Sequence, residues 1–234
     1  MKLSIVMPVY DADPRLADTV KQALAVDYGC ELELVVSGQG RSAPGSALDA
    51  VDDRRVRVVD ATDDPVRAAA AVATGDYLVV LDADLRHDPR DIPRLLEPVR
   101  AGHATVVYGN RLFGSHSGNS FWYVVGNKVL TTAANVMFNC YLSDLETGYK
   151  LMPLALYRSL DSGPRRAGAG ADAAITGRLL RRGIRPFEVP VSYRASAGPT
   201  PESGARQKRP ARRRRTRAML ILLRERLRRA DARS

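Results

Sequence analysis

The chain has 234 residues, 45% apolar and 26% charged, enough for one sizeable α/β core and too few for two comfortable ones. Its two cysteines, Cys30 and Cys140, lie far apart, and no CxxC or HExxH cluster occurs. That argues against a disulfide or zinc framework and for a reducing compartment. The formal charge of +10 is concentrated at one end. Residues 204–234 carry 13 Lys and Arg against 2 acids, whereas the other 203 residues carry 23 against 24. The opening MKLSIVMPVY lacks the cleavage site of an export signal, and no stretch reaches the ~20 apolar residues of a membrane span. The expected location is therefore cytoplasmic.

In chain order, residues 3–9 form a near-continuous apolar run, the mark of a strand buried on both faces. Asp13-Pro14 reads as an N-cap with proline at the first helical position, and the stripe Leu16, Val20, Leu24 carries that helix to about Val26. A second strand over 31–36 enters a Gly/Ser-rich loop at 37–46, followed by a strand over 56–59 and an alanine-rich helix over 65–73. Residues 77–81 are again an apolar strand, then come a helix over 91–99 and a strand over 105–108. Strands and helices alternating at these lengths predict an α/β fold, a mostly parallel central sheet with helices on both faces. Beyond it the pattern gives a polar loop at 114–120, helices over 121–139 and 172–182, a strand over 187–193 and a Pro/Ser/Gly-rich loop at 195–204. A basic segment, 206–233, closes the chain. The expected division is a catalytic domain over 1–203 and a basic tail with an amphipathic helix over 204–234.

Chemistry concentrates where strands end, because ligands of open parallel sheets bind outside the carboxyl ends of the strands. Tyr10-Asp11 and Asp82-Ala83-Asp84 occupy such positions. Carboxylates two apart on extended backbone share a side. Such a pair suits Mg²⁺ or Mn²⁺, hard ions that take oxygen ligands and share them with substrate phosphates. A metal there would neutralise charge on a departing diphosphate. DxD alone is also a common way to close a strand.

The segments SIVMPVYD (4–11) and GDYLVVLDADLRHDP (75–89) resemble the opening strand and metal-binding segment of family 2 glycosyltransferases of the GT-A (nucleotide-diphospho-sugar transferase) fold. LSDLETGYKL (142–151), with AIT (174–176) and GIRPFEVPVSYR (183–194), is similar to the polyprenyl-phosphate mannosyl- and glucosyltransferase branch. The resemblance implies metal-dependent transfer of a sugar from a UDP- or GDP-sugar to a polyprenyl phosphate or related lipid-linked acceptor. It places Pro8, Val9, Tyr10, Asp11, Ser37, Asp82, Ala83 and Asp84 at the donor, with Asp82 and Asp84 on the metal. It places Arg111, Lys150, Arg194 and Lys208 against phosphate. Asp82, Asp84, Arg111 and Asp144 are the expected catalytic set.

The sequence departs from the family pattern in places. VVSGQG (35–40) stands where an Asp-Asp-Gly-Ser type segment usually meets the base, Arg86 where glutamine is common, and Ala174 where glutamate often precedes Ile-Thr. A lipid phosphate is already ionised near neutral pH, so its attack needs no general base and the loss at Ala174 is tolerable. For a hydroxyl acceptor, Asp144 or Glu146 is the base candidate. A non-lipid acceptor such as a specialised metabolite is the alternative enzyme. GQGRSA at 38–43, with Asp60 closing the next strand, imitates a dinucleotide fingerprint and keeps an NAD-linked oxidoreductase open. Pro44-Gly45 interrupts the helix that motif requires.

The tail RQKRPARRRRTR (206–217) lacks interleaved aromatics, so nucleic-acid binding through it is at most nonspecific. Each basic residue near an anionic bilayer gains about 1 kcal/mol. Met219, Leu220, Leu223 and Leu227 can either enter the interface or pack on the body. The readings left open are a peripheral protein at the inner face of the membrane, a noncatalytic membrane or nucleic-acid binder, and a solvated charge run.

Overall fold

The computed structural model describes residues 1–10, 16–38, 45–49, 51–61, 64–83, 86–111, 121–160, 169–193 and 211–227. Seven strands form one sheet in the order β3-β2-β1-β4-β6-β5-β7. They are β1 (Lys2–Val9), β2 (Glu31–Gly38), β3 (Val56–Asp60), β4 (Tyr77–Val80), β5 (Val107–Asn110), β6 (Lys150–Pro153) and β7 (Phe187–Pro190). All run parallel except β6, which is antiparallel to both β4 and β5. The carboxyl ends of six strands and the start of β6 therefore share one rim, here called the front. The chain leaves β1 toward β2 and returns through β3 to place β4 on the other side of β1. The crevice between β1 and β4 is thus the point where the winding reverses.

Helices cover both faces, as the alternation predicts. On one face α1 (Leu16–Leu24) and α4 (Ile92–Arg100) set Leu16, Val20, Ile92, Leu95 and Leu96 against Leu3, Ile5, Met7, Leu34 and Val79. On the other, α3 (Pro65–Val72), α6 (Leu154–Leu160) and α7 (Ala169–Arg181) pack Ala69, Ala70, Tyr157, Leu160 and Leu179 on Val6, Val35, Leu78 and Tyr108. Asp64 caps α3 through the Val66 and Arg67 amides, with Pro65 at the first position. A four-residue α2 (Gly45–Leu48) follows β2.

Several boundaries differ from the sequence expectation. β2 runs on to Gly38 because it pairs with both β1 and β3 as far as Val9 and Asp60. The strand expected at 105–108 is displaced to Val107–Asn110, where it finds its partner β7. β6 and α6 escaped the reading: a four-residue strand with lysine and proline at its ends shows no alternation, and the seven-residue helix follows it directly.

The amino ends of β1, β2 and β4 form the rear rim. There the Glu33 carboxylate accepts from the Ser4 hydroxyl, the Thr74 amide and hydroxyl and the Gly75 amide, with Lys2 Nζ at 3.5 Å. Beyond the sheet, α5 (Phe121–Phe138) and α8 (Ala211–Leu227) join α7 in a small cluster of Leu130, Ala134, Leu145, Ala173, Ala218 and Leu222. The helix of the basic segment is therefore seated on the body, while the expected boundary at 203/204 lies outside the described residues.

Candidate active site

The front rim is assembled from loops held by the core. The Leu81 amide bonds the Val6 carbonyl at 2.9 Å, extending the β1–β4 ladder one step. The chain then enters a turn at Ala83, whose carbonyl accepts from Thr19 Oγ1 of α1 at 3.1 Å. Asp82 thus sits between the end of β4 and that turn. Asp84 and Asp11 lie outside the described residues, as do Arg194 and Lys208.

The following segment is pinned from two sides. Tyr149 donates its hydroxyl to the Asp88 carbonyl at 2.9 Å, and Asp91 accepts the Ser192 amide at 2.7 Å. Between these anchors His87 bridges Tyr193 and stacks on Tyr149 with ring centroids 4.6 Å apart. Among the described residues its buried Nε2 has no hydrogen-bond partner. Burial lowers the His87 pKa to about 4 against the opposing pull of Asp82, so the ring is neutral at physiological pH. Gly148 forms the floor: a Cβ there would lie 3.8 Å from His87 Cε1 and 3.9 Å from Asp82 Oδ2. A glycine keeps that space open.

Arg111, immediately after β5, meets Asp144 in a two-pronged pair, Nε to Oδ2 at 2.6 Å and Nη2 to Oδ1 at 2.7 Å. Asn127 of α5 adds a bond to Oδ1 at 3.0 Å. Burial works to raise the Asp144 pKa, but Arg111 and Asn127 outweigh it and hold the carboxyl below its usual range. The Arg111 guanidinium also lies over the Tyr193 ring at 5.2 Å. Glu188 of β7 fixes the loop by accepting the amides of Ser143 and Asp144 at 2.9 and 3.0 Å. Glu146 Oε1 is a second buried atom without a hydrogen-bond partner.

Other expected residues need correction. Ser37 is fully buried and donates its hydroxyl to the Pro65 carbonyl, so its side chain faces α3 rather than the rim. Val9 is a core side chain, and Pro8 is buried too, leaving these positions only their backbone to offer. Tyr10 and Ala83 are partly exposed at the rim. Lys150 is buried with Nζ 3.2 Å from Asp172 Oδ1, because β6 carries it under α7. Sequence reasoning named neither His87 as a site residue nor Gly148, Asn127 and Glu188. The signals were a histidine three residues past Asp84, one of two asparagines in an apolar helix and a lone acid in FEVP.

Residues 4–160 match the family described as Glycosyl transferase family 2. The chain belongs to that family. Its GT-A fold sets aside the dinucleotide reading of the glycine-rich segment at 38–43, most of which lies outside the described residues. Among curated relatives, the undecaprenyl-phosphate mannosyltransferase of Micrococcus luteus is 32% identical over 123 residues, half of this chain and 49% of that protein. The polyprenol monophosphomannose synthase of Mycolicibacterium smegmatis is 25% identical over 204 residues, 81% of this chain and 76% of that one. The chain spans only 30 to 49% of the length of three curated relatives it matches. A crystal structure of Mycobacterium tuberculosis glucosyl-3-phosphoglycerate synthase, in complex with Mn²⁺, UDP-glucose and phosphoglyceric acid, superposes with a TM-score of 0.65 at 20% identity, over 96% of this chain and 79% of that one.

Proposed function

We propose that this family 2 protein transfers a hexose from a UDP- or GDP-sugar to a polyprenyl phosphate. The observation carrying the proposal is the front rim itself. A carboxylate at the reversal point and an orphaned imidazole stand across Gly148, beside a buried Arg111–Asp144 pair. The names of the two bacterial relatives support the lipid-phosphate acceptor, and the mycobacterial complex supports a metal and a uridine diphosphate donor.

The donor set fits a hard divalent ion. Oxygen ligands suit Mg²⁺ or Mn²⁺, the rim is open at Gly148, and His87 Nε2 lacks a partner. Among the described residues no three His, Cys, Asp or Glu form a cluster able to hold a metal. Asp82, Asp84 and the donor's own phosphates would therefore have to share it. When bound, such an ion supplies charge neutralisation on the leaving diphosphate. The backbone at 8–10 lines the nucleoside side, and Gly148 leaves room for the sugar.

In the proposed reaction the bond from the anomeric carbon to the diphosphate oxygen breaks as a bond to an acceptor phosphate oxygen forms. The electron pair leaves on the nucleoside diphosphate. No proton has to be removed from an ionised phosphate, so no base is required. Both oxygens of Asp144 already hold Arg111, which makes Asp144 the residue that positions Arg111 toward phosphate rather than a base. Lys150 reaches the acceptor side only as a buried neighbour of that pair, and Arg194 and Lys208 remain proposed phosphate contacts. An acceptor with a lipid tail brings the enzyme to a bilayer, on the cytoplasmic face in this reading. Among the described residues no helix is long and apolar enough to cross a membrane.

The test is titration of nucleotide sugars with and without Mn²⁺, read by thermal shift and by Mn²⁺ paramagnetic resonance, then by sugar transfer to polyprenyl phosphate. Asp82→Asn and Asp84→Asn should abolish the metal-dependent shift and lower transfer by about 10²–10³-fold. A metal-independent shift of undiminished size in both variants would sink the proposal.

A further inference from the structure

The basic helix α8 has two faces with different tasks. Its inner face is fixed. Ala218 and Leu222 are fully buried among Leu130, Ala134 and Leu145. Glu225 is buried against α7, where Arg178 Nε meets it at 3.1 Å and Arg181 Nη1 at 3.7 Å. Gly177 allows this approach, since a Cβ there would stand 3.2 Å from that of Glu225. A helix seated through a buried ion pair and a glycine contact does not simply trail from the body.

The outer face is apolar where solvent should favour polar side chains. Leu220, Leu223 and Leu227 are 62, 40 and 79% exposed, and their spacing of three and four residues makes one row. By the same helical geometry Arg217 and Arg224 flank that row on one side and Arg226 on the other, while the Arg215 guanidinium lies against Gly126 of α5. On α5, Val129 and Val136 are also exposed, next to the row that carries Gly126, Leu130 and Met137 toward α8. Two adjacent helices thus present leucine and valine in a frame of arginine.

We infer that this α8–α5 face docks on an anionic phospholipid bilayer, leucines in the interface and arginines on the headgroups. The charge selects the occupant. Seven arginines in α8 against one acid, which is buried, would repel a second copy of the same face and complement phosphate headgroups. Arginine is also suited to this position, since its stem lies along apolar surface while its head reaches phosphate. The choice of a bilayer rests on the lipid-phosphate reading above, and geometry links the two. The buried side of α5 supplies Asn127 to the Arg111–Asp144 pair, so one helix separates the proposed phosphate site from the docking face.

The experiment is flotation of the full chain with vesicles of phosphatidylcholine alone and of phosphatidylcholine mixed with phosphatidylglycerol. The expected result is binding to the mixed vesicles only. In L220E/L223E/L227E it should drop by about tenfold or more, with Tm and Mn²⁺-dependent nucleotide-sugar binding unchanged. Leu223→Trp provides a reporter that adds no charge, and its emission should shift blue on mixed vesicles. Undiminished flotation of the triple variant, no blue shift, or a leucine-dependent dimer by sedimentation without vesicle binding overturns the inference. Loss of donor binding with flotation intact would instead count against the catalytic reading and leave this one standing.

Discussion

At the rear rim, where β1, β2 and β4 begin, one carboxylate answers three residues at once: Ser4, Thr74 and Gly75 all donate to Glu33. At the front rim, where the same strands end, His87 Nε2 and Glu146 Oε1 are buried with no hydrogen-bond partner among the described residues. Burying an unmatched polar atom costs stability, and most proteins avoid it. Among the described residues, the fold therefore satisfies the carboxylate at one end of its sheet and leaves buried polar atoms unmatched at the other. Incompletion is tolerated where a ligand supplies the missing partners, which is why the front rim, and not the charged rear one, reads as the site.

Arg111 is the residue most able to break that contrast, because it belongs to the front yet behaves like a structural part. Its partner Asp144 is fully buried. Removing one member of a buried pair costs about 3–5 kcal/mol, so Arg111→Ala should lower Tm by on the order of 10 °C in a chain of this size. Transfer per folded molecule should fall as well, by about 100-fold. The double variant R111M/D144L separates the two effects: it should recover much of the stability and none of the transfer. If Arg111→Ala melts within about 2 °C of the parent, the pair contributes nothing to the fold and the front rim is purely a ligand surface.

The fold was legible at the strands that are buried on both faces and at an alanine-rich helix. Residues 3–9 and 77–81 announce strands by unbroken apolar runs, and the alanine-rich run at 65–73 announces a helix, whereas the expected cap at Asp13-Pro14 lies outside the described residues. The antiparallel β6 was not, because KLMP is short and its lysine finds its partner, Asp172, only after α7 folds across it. The site was half legible for the same reason. Asp82 is marked by its position after a strand, and Arg111 only by the family resemblance. Glu188 and Asn127 act on Asp144 from 44 and 17 residues away, and no local pattern records such distances. Ser37 was expected at the donor through the resemblance alone, and no local pattern records that its hydroxyl meets the Pro65 carbonyl.

Gly75 sharpens the contrast from the rear. A Cβ there would collide with the Ser4 hydroxyl and stand 2.8 Å from the Ser4 amide nitrogen and 2.9 Å from the Lys2 carbonyl oxygen. Two of these three are backbone atoms of a central strand and cannot swing aside. Gly75→Ala should cost about 2–3 kcal/mol and lower Tm by about 5–10 °C, while the folded fraction keeps full metal-dependent donor binding. Reduced donor affinity in that fraction would mean that strain at one rim reaches the other, and the division drawn here would fail.

The smallest effect concerns acid. Burial works to raise the Glu33 pKa, but the bonds from Ser4 and Thr74, aided by Lys2, outweigh it and hold the carboxyl below its usual value. A depressed native pKa stabilises the fold in full above the unfolded value of about 4.3 and ceases to do so as pH falls through the native one. Glu33→Gln should therefore cost about 1–2 kcal/mol at pH 7, and its denaturation curve should converge on that of the parent as pH drops below the unfolded value. Asp144 and Asp53 have pKa shifts of the same sign, so only part of the acid lability left in the variant belongs to the front rim. Adding R111M/D144L to Glu33→Gln should flatten the front-rim part of what remains. An acid limb unchanged by either substitution would show that neither carboxylate governs acid unfolding, and that the two rims differ in ligand chemistry alone.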